Sequence, residues 1–164
     1  MPKRCLLVAT LSSALLFALC ASAALEKISA RALAATDPWI AAQTVDAPSF
    51  AKELSDAPAG RKPVVICVGF HSLYHGAHIP AGTYHGPGST PEGLADLKKF
   101  AQSLPRSADV VLYCGCCPLE HCPNIRPAFE ALRGAGFARL RVLLLPQDFA
   151  SDWVAKGYPV EKGD

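Results

Sequence analysis

The sequence has almost no surplus charge. Sixteen lysines and arginines stand against 14 acidic residues, a formal net charge of +2. Lys3 and Arg4 account for the difference, so the chain beyond residue 23 carries 14 charges of each sign. Nucleic acid and anionic surfaces favour a cationic face, and neither is indicated as a partner. No internal repeat and no low-complexity segment breaks the chain, so it reads as one domain rather than an array. The two separated C-x-x-C knuckles of a structural zinc site are also missing. What is present suffices for one sizeable core: 164 residues, of which 51% are hydrophobic.

Lys3 and Arg4 precede an apolar run over residues 5–20, and Ala21-Ser22-Ala23 closes it with small residues. A positive start, a short apolar centre and an A-x-A end read as a secretory signal peptide over residues 1–23. The run is short for a membrane anchor, and lipid attachment at Cys20 is disfavoured by the bulk of Leu19. The expected location is periplasmic or secreted, with no membrane association after cleavage. Loss of the segment removes Cys5 and Cys20 and leaves Cys67, Cys114, Cys116, Cys117 and Cys122. In an oxidising compartment disulfides are the default, but an odd number leaves at least one thiol free, metal-bound or modified. Four of the five fall within nine residues. That placement is poor for stapling a fold and points to a site.

Residues 24–45 read as an N-terminal helix or leader, with Leu25, Ile28, Ala32 and Leu33 at helical spacing and a possible short strand over 39–45. The domain itself is expected over 46–164. Residues 46–56 predict a helix with Phe50 and Leu54 on one face. Residues 63–68 and 109–114 are continuous apolar runs of the kind buried on both faces of a parallel sheet. Residues 140–145 predict a third such strand. Between them, residues 69–88 read as mostly loop, with a short strand near 82–84. Thr90-Pro91 opens a helix, with Thr90 as its cap and Pro91 in its first turn. Asn124 is expected to cap a helix to about residue 135, and residues 148–156 to form the last one. Strands alternating with helices predict an α/β fold, a central mostly parallel sheet with helices on both faces. Functional groups collect at the carboxyl ends of such strands, where Cys67 and Cys114 both lie.

These residues resemble a known family. Tyr113-Cys114 closing an apolar strand, then a loop, a helix ending at Gly136-Phe137, a further strand and Trp153 with Gly157-Tyr158-Pro159-Val160, is similar to the second half of a rhodanese domain. Rhodanese domains usually carry D-V-R-x-x-x-E-Y-x-x-G-H-I-P-G-A. Residues 67–82 read C-V-G-F-H-S-L-Y-H-G-A-H-I-P-A-G, with Val68, Tyr74, His78, Ile79 and Pro80 in register. The resemblance spans about residues 46–162 and departs at Cys67, Gly69 and Leu73, where the family has Asp, Arg and Glu. It departs again in a longer loop that holds Cys116, Cys117, His121 and Cys122.

The resemblance implies a sulfurtransferase with Cys114 as nucleophile. Cys114 would take sulfane sulfur from a thiosulfate-like donor, hold it as a persulfide and pass it to a thiol or cyanide-like acceptor, without a cofactor. A thiolate at a strand end facing a helix N-terminus is expected to have a lowered pKa. Gly115, Cys116 and Cys117 would form the substrate cradle, and Arg126 would hold an anionic donor. The extra cysteines leave three readings open: resolving thiols, a disulfide that pins the loop, or ligands for a Zn or Cu ion drawn from Cys116, Cys117, His121 and Cys122, with Cys114 among the candidates. On the metal reading the protein is a non-enzymatic binding module on a rhodanese scaffold. His78 is expected to hydrogen-bond backbone, His71 and His75 to lie near the site mouth, and Cys67 and Trp153 to be core.

Overall fold

The three strongly apolar runs form the centre of one sheet. In the computed structural model, which describes residues 37–58 and 60–163, strands β2 (Val64–Cys67), β4 (Asp109–Tyr113) and β5 (Arg139–Leu144) lie side by side. Strands β1 (Thr44–Asp46) and β3 (Thr83–Tyr84) close the edges, in the order β1-β5-β4-β2-β3. Every pairing is parallel, and Cys67 sits beside Tyr113. The expected signal peptide and the helix expected near residue 28 lie outside the described residues. No helix among the described residues is long and apolar enough to cross a membrane.

Side chains alternate across a strand, so the sheet builds two cores. Ile66, Val68, Val110, Leu112 and Cys114 join one core with Leu97, Ala101, Ile125, Ala128, Phe129 and Leu132. Val65, Cys67, Val111 and Tyr113 join the other with Phe50, Tyr74, Phe149 and Trp153. The first core is covered by helices α3 (Pro91–Gln102) and α4 (Ile125–Gly134), the second by α1 (Ala47–Asp56), α2 (His71–Gly76) and α5 (Phe149–Asp152). Each fully buried large apolar side chain contributes roughly 1.5–3 kcal/mol. Across the sheet's other end, Arg141 holds Glu53 through two hydrogen bonds of 2.9 and 2.8 Å and also reaches Asp109, tying α1 to β4 and β5.

Three helix starts follow the sequence. Asp46 accepts from the N–H of Ser49 at 2.8 Å, Thr90 from Gly93 at 3.1 Å and Asp148 from Ser151 at 2.6 Å. Three expectations need correction. Residues 71–76, read as loop, form α2; it is short and buries only Tyr74, too little to show a helical period. The strand expected over 39–45 is a 3₁₀ turn, Ala41–Gln43, followed by β1. The last helix divides into α5 and a 3₁₀ turn, Val154–Lys156, at Trp153. Residues 37–45, read as the end of a leader, pack with the domain: the Trp39 ring meets Phe129 edge-on at 5.4 Å.

Candidate functional site

Cys114 is the first residue beyond β4 and is 7% exposed. The chain then turns through Gly115 at φ +67. A side chain there would be strained by that backbone and would place its Cβ 2.5 Å from the Cβ of Phe149. The Gly115 carbonyl accepts from the Phe149 N–H at 3.0 Å, which fixes the turn to the start of α5. The turn returns Cys116 to Cys114, Sγ to Sγ 3.1 Å, and Cys117 lies 3.3 Å from Cys116. A 3₁₀ turn, Leu119–His121, then brings buried Cys122 inward. The sulfurs of Cys114, Cys116 and Cys122 all lie within 4.8 Å of one another.

Asn124 was expected to cap α4 and does not. Its backbone is already helical and its side chain makes no capping bond. Fully buried, the side-chain carbonyl accepts from the Ser89 N–H at 3.0 Å. That orients the amide nitrogen to donate to Cys114 Sγ at 3.4 Å and Cys116 Sγ at 3.5 Å. Asn124 is the site residue that sequence reasoning missed. The only signal was an asparagine directly before a helix and near four cysteines, and the capping reading absorbed it.

The expected electrostatics are inverted. Cys122, not Cys114, is the low-pKa thiol. The neighbouring Cys114 thiol and the N–H groups of Asn124 and Ile125 at the start of α4 favour its thiolate, and these pull it down to about 5. Cys114 is pushed up, first by the neighbouring Cys122 and then by burial. Burial and the neighbouring Cys116 push Cys117 up to about 12. The cluster therefore holds one shared negative charge, centred where the helix N–H groups converge.

The remaining residues sort by position. The Arg126 guanidinium does not stand free for an anionic donor. It donates to the carbonyls of Leu119 and Cys122, both at 3.2 Å, and pairs with Asp37 at 2.7 Å. It thereby clamps both ends of the 3₁₀ turn. Of the residues read from sequence as metal candidates, Cys114, Cys116 and Cys122 lie together, whereas Cys117 and exposed His121 lie outside that group. Gly69, where the rhodanese motif has Arg, packs against the site. A Cβ there would lie 2.7 Å from the Cys114 carbonyl oxygen and 3.3 Å from its sulfur. His78 is buried, with Nδ1 donating to the Tyr74 carbonyl at 3.0 Å and its ring stacked on Tyr74. Cys67 faces the other core, and burial pushes its thiol up to about 11.

A cavity of about 370 Å³ opens beside the cluster. Gly115 and Cys116 form one wall; Leu73, Ala77, Phe149, Ala150 and Val154 supply apolar surface, and Asp148 is the one charged residue lining it. His71 and His75 lie on α2 but do not line it.

Comparison with solved structures places this geometry. The chain matches the solution structure of a rhodanese-like domain from an Anabaena sp. protein at 25% identity and TM-score 0.54, over 73% of this chain and 79% of that one. The described residues have a rhodanese-like fold. A Bacillus halodurans protein matches this rhodanese-like domain at 16% identity and TM-score 0.57 over 86% of each chain. The anaerobic ergothioneine biosynthesis enzyme from Chlorobium limicola, solved with trimethyl histidine, matches at 19% identity and TM-score 0.54, over 73% of this chain and 28% of that one. A structure of an EanB variant as a cysteine persulfide with ergothioneine matches at 18% identity and TM-score 0.54, over 73% of this chain and 28% of that one. At these identities the last matches speak for the fold alone. No family model matches the chain, and no curated protein does.

Proposed function

We propose that this protein is a sulfurtransferase that holds sulfane sulfur as a persulfide on Cys114 and exchanges it through Cys116. The observation that carries this is the pair itself: Cys114 at the carboxyl end of the central strand, its sulfur 3.1 Å from that of Cys116, with Cys116 on the wall of the cavity. EanB, part of which matches this fold, is known as a cysteine persulfide, and that supports the same chemistry.

The thiol that meets substrate is Cys116, because Cys114 lies behind it. Its thiolate attacks the outer sulfur of a donor R–S–SH, forming Cys116–S–SH as the S–S bond of the donor breaks and R–S⁻ leaves with the electron pair. Cys114 then attacks the outer sulfur of that persulfide. Its proton passes to the neighbouring Cys122 thiolate, and Cys116 departs as a thiolate that recovers a proton. The net step moves one sulfur atom and leaves the oxidation level of the pair unchanged. Reversal, with an acceptor thiol in place of R–S⁻, completes transfer. The Cys114 persulfide would rest against the Asn124 amide and the Cys116 N–H, which stabilise its charge.

The donor class follows from the cavity wall. Apolar side chains and one carboxylate line it, and Arg126 is committed to the loop. A dianion such as thiosulfate meets no cation there. An organic persulfide, with an apolar substituent and at most one negative charge on its sulfur chain, fits better.

The test is mass spectrometry of the reduced protein after treatment with an organic persulfide or with thiosulfate. One added sulfur should appear on Cys114 or Cys116, faster from the organic persulfide, and Cys114→Ser should lose the lasting adduct. Absence of any adduct would overturn the reading; equal loading from thiosulfate would overturn its donor class.

A further inference from the structure

The sulfur cluster has a shape that sulfur transfer does not require. A relay needs two thiols and a base nearby, but not three sulfurs converging at ligand distance, whereas here Cys122 is brought to the same point by a separate turn and fixed there by Arg126. We propose that Cys114, Cys116 and Cys122 form a three-thiolate site for a soft monovalent cation, Cu(I) before all others.

Four observations support the assignment. The spacing fits: metal–sulfur bonds of about 2.3 Å in a trigonal plane put sulfurs about 4 Å apart, and these three lie within 4.8 Å of one another, the Cys114–Cys116 pair at 3.1 Å. The donor set is all sulfur. Among the described residues no imidazole or carboxylate joins the group, and thiolates without harder ligands select Cu(I) over Mg²⁺, Ca²⁺ or Mn²⁺. The coordination number is three: Cys117 lies 3.3 Å from Cys116 but outside the mutually close group. A closed tetrahedral zinc site would need a fourth ligand at equal reach. The surroundings are also built for thiolate charge. Cys114 and Cys122 are 7% and 2% exposed, and the buried Asn124 amide, itself oriented by Ser89, donates to two of the three sulfurs. Such outer partners orient ligands and hold their charge. Cys116 and Cys117, the half-buried pair, give the ion a path from solvent. Three thiols bind as thiolates, so loading releases protons.

A consequence rests on the sulfur-transfer reading. One sulfur atom, Cys114 Sγ, is both carrier and ligand, so Cu(I) and persulfide exclude each other and copper silences transfer.

The experiment is a Cu(I) titration of the reduced protein without oxygen, in competition with a chromophoric Cu(I) chelator, with X-ray absorption at the copper edge. One equivalent should bind with three sulfur neighbours. Cys116→Ser and Cys122→Ser should each weaken binding beyond the roughly 100-fold that loss of an outer partner costs, and Asn124→Ala should weaken it about 10- to 100-fold. Cys67→Ser should bind as the parent does. Failure to compete with the chelator would overturn the site, as would affinity unchanged in Cys122→Ser or a spectrum without three sulfurs. Persulfide loading is read separately on metal-free protein. Loading without copper binding sinks this site alone, and copper binding without loading sinks only the sulfur-transfer reading and the exclusion.

Discussion

Cys67 and Cys114 end neighbouring parallel strands, both almost wholly buried, yet their chemistry differs. Cys67 is the last residue of β2 and pairs in register with Tyr113. Cys114 is one residue further along β4. That single step reverses the face of the sheet. Cys67 points into the core with Tyr113, Phe149 and Trp153 and interacts with the Gly69 N–H and the Tyr113 hydroxyl. Cys114 points into the core under α3 and α4, where the start of α4 supplies Asn124 and the loop supplies two more thiols. Burial at a strand end does not by itself make a reactive cysteine. The parity of the pleat decides whether a thiol meets packed rings or a helix N-terminus.

The largest contrast should come from activity. Cys114→Ser should reduce sulfur loading at least about a thousand-fold, while Cys67→Ser should leave the loading rate close to the parent's. Mass spectrometry after treatment with an organic persulfide reads both, and equal losses would erase the distinction.

The pH dependence of stability should separate the two faces with opposite signs. Cys122 is held below its ordinary value of 9.0, so its contribution is complete above that value and is lost as pH falls toward about 5. Cys67 is held above 9.0, so its contribution is complete below that value and is lost as pH rises through about 11. Denaturant midpoints against pH should lose the acid-side slope in Cys122→Ala, while Cys67→Ala should make the alkaline-side slope shallower without removing it, because Cys114 and Cys117 are also held above 9.0. Each cysteine's share of a slope is at most about 1.4 kcal/mol per pH unit. Thiolate absorbance should show one equivalent appearing near pH 5 in the parent and none there in Cys122→Ser.

Gly115→Ala sharpens the comparison from the loop side. A positive φ costs a non-glycine residue about 1–3 kcal/mol, and the new methyl would collide with Phe149. Chemical denaturation should register at least that loss, together with slower sulfur loading. The smallest effect belongs to Asn124→Ala. Losing its bonds to two sulfurs and leaving the Ser89 N–H unpaired should cost about 1–3 kcal/mol. It should also raise the thiolate midpoint, because a donor to the cluster's charge is gone.

The sheet was legible because residues 63–68, 109–114 and 140–145 carry no polar alternation, and only a doubly buried strand needs that. The helix starts were legible where Asp46, Thr90 and Asp148 have local partners three residues on. The cysteine site was legible as a cluster, and its charge distribution was not. The charge follows the N–H groups of Asn124 and Ile125, whose aim depends on how the loop enters α4. Arg126 misled for a similar reason. It opens a helix beside the loop, as a donor-binding arginine would, but its anionic partner is Asp37, far away in sequence.

Arg126 has one more consequence. By gripping the Leu119 and Cys122 carbonyls it staples both ends of a short turn, and between those staples Glu120 and His121 stand exposed. Their side chains can be exchanged without moving Cys122. The turn is thus a permissive position beside the thiols, a place where drift or an engineer can write new recognition at little structural expense.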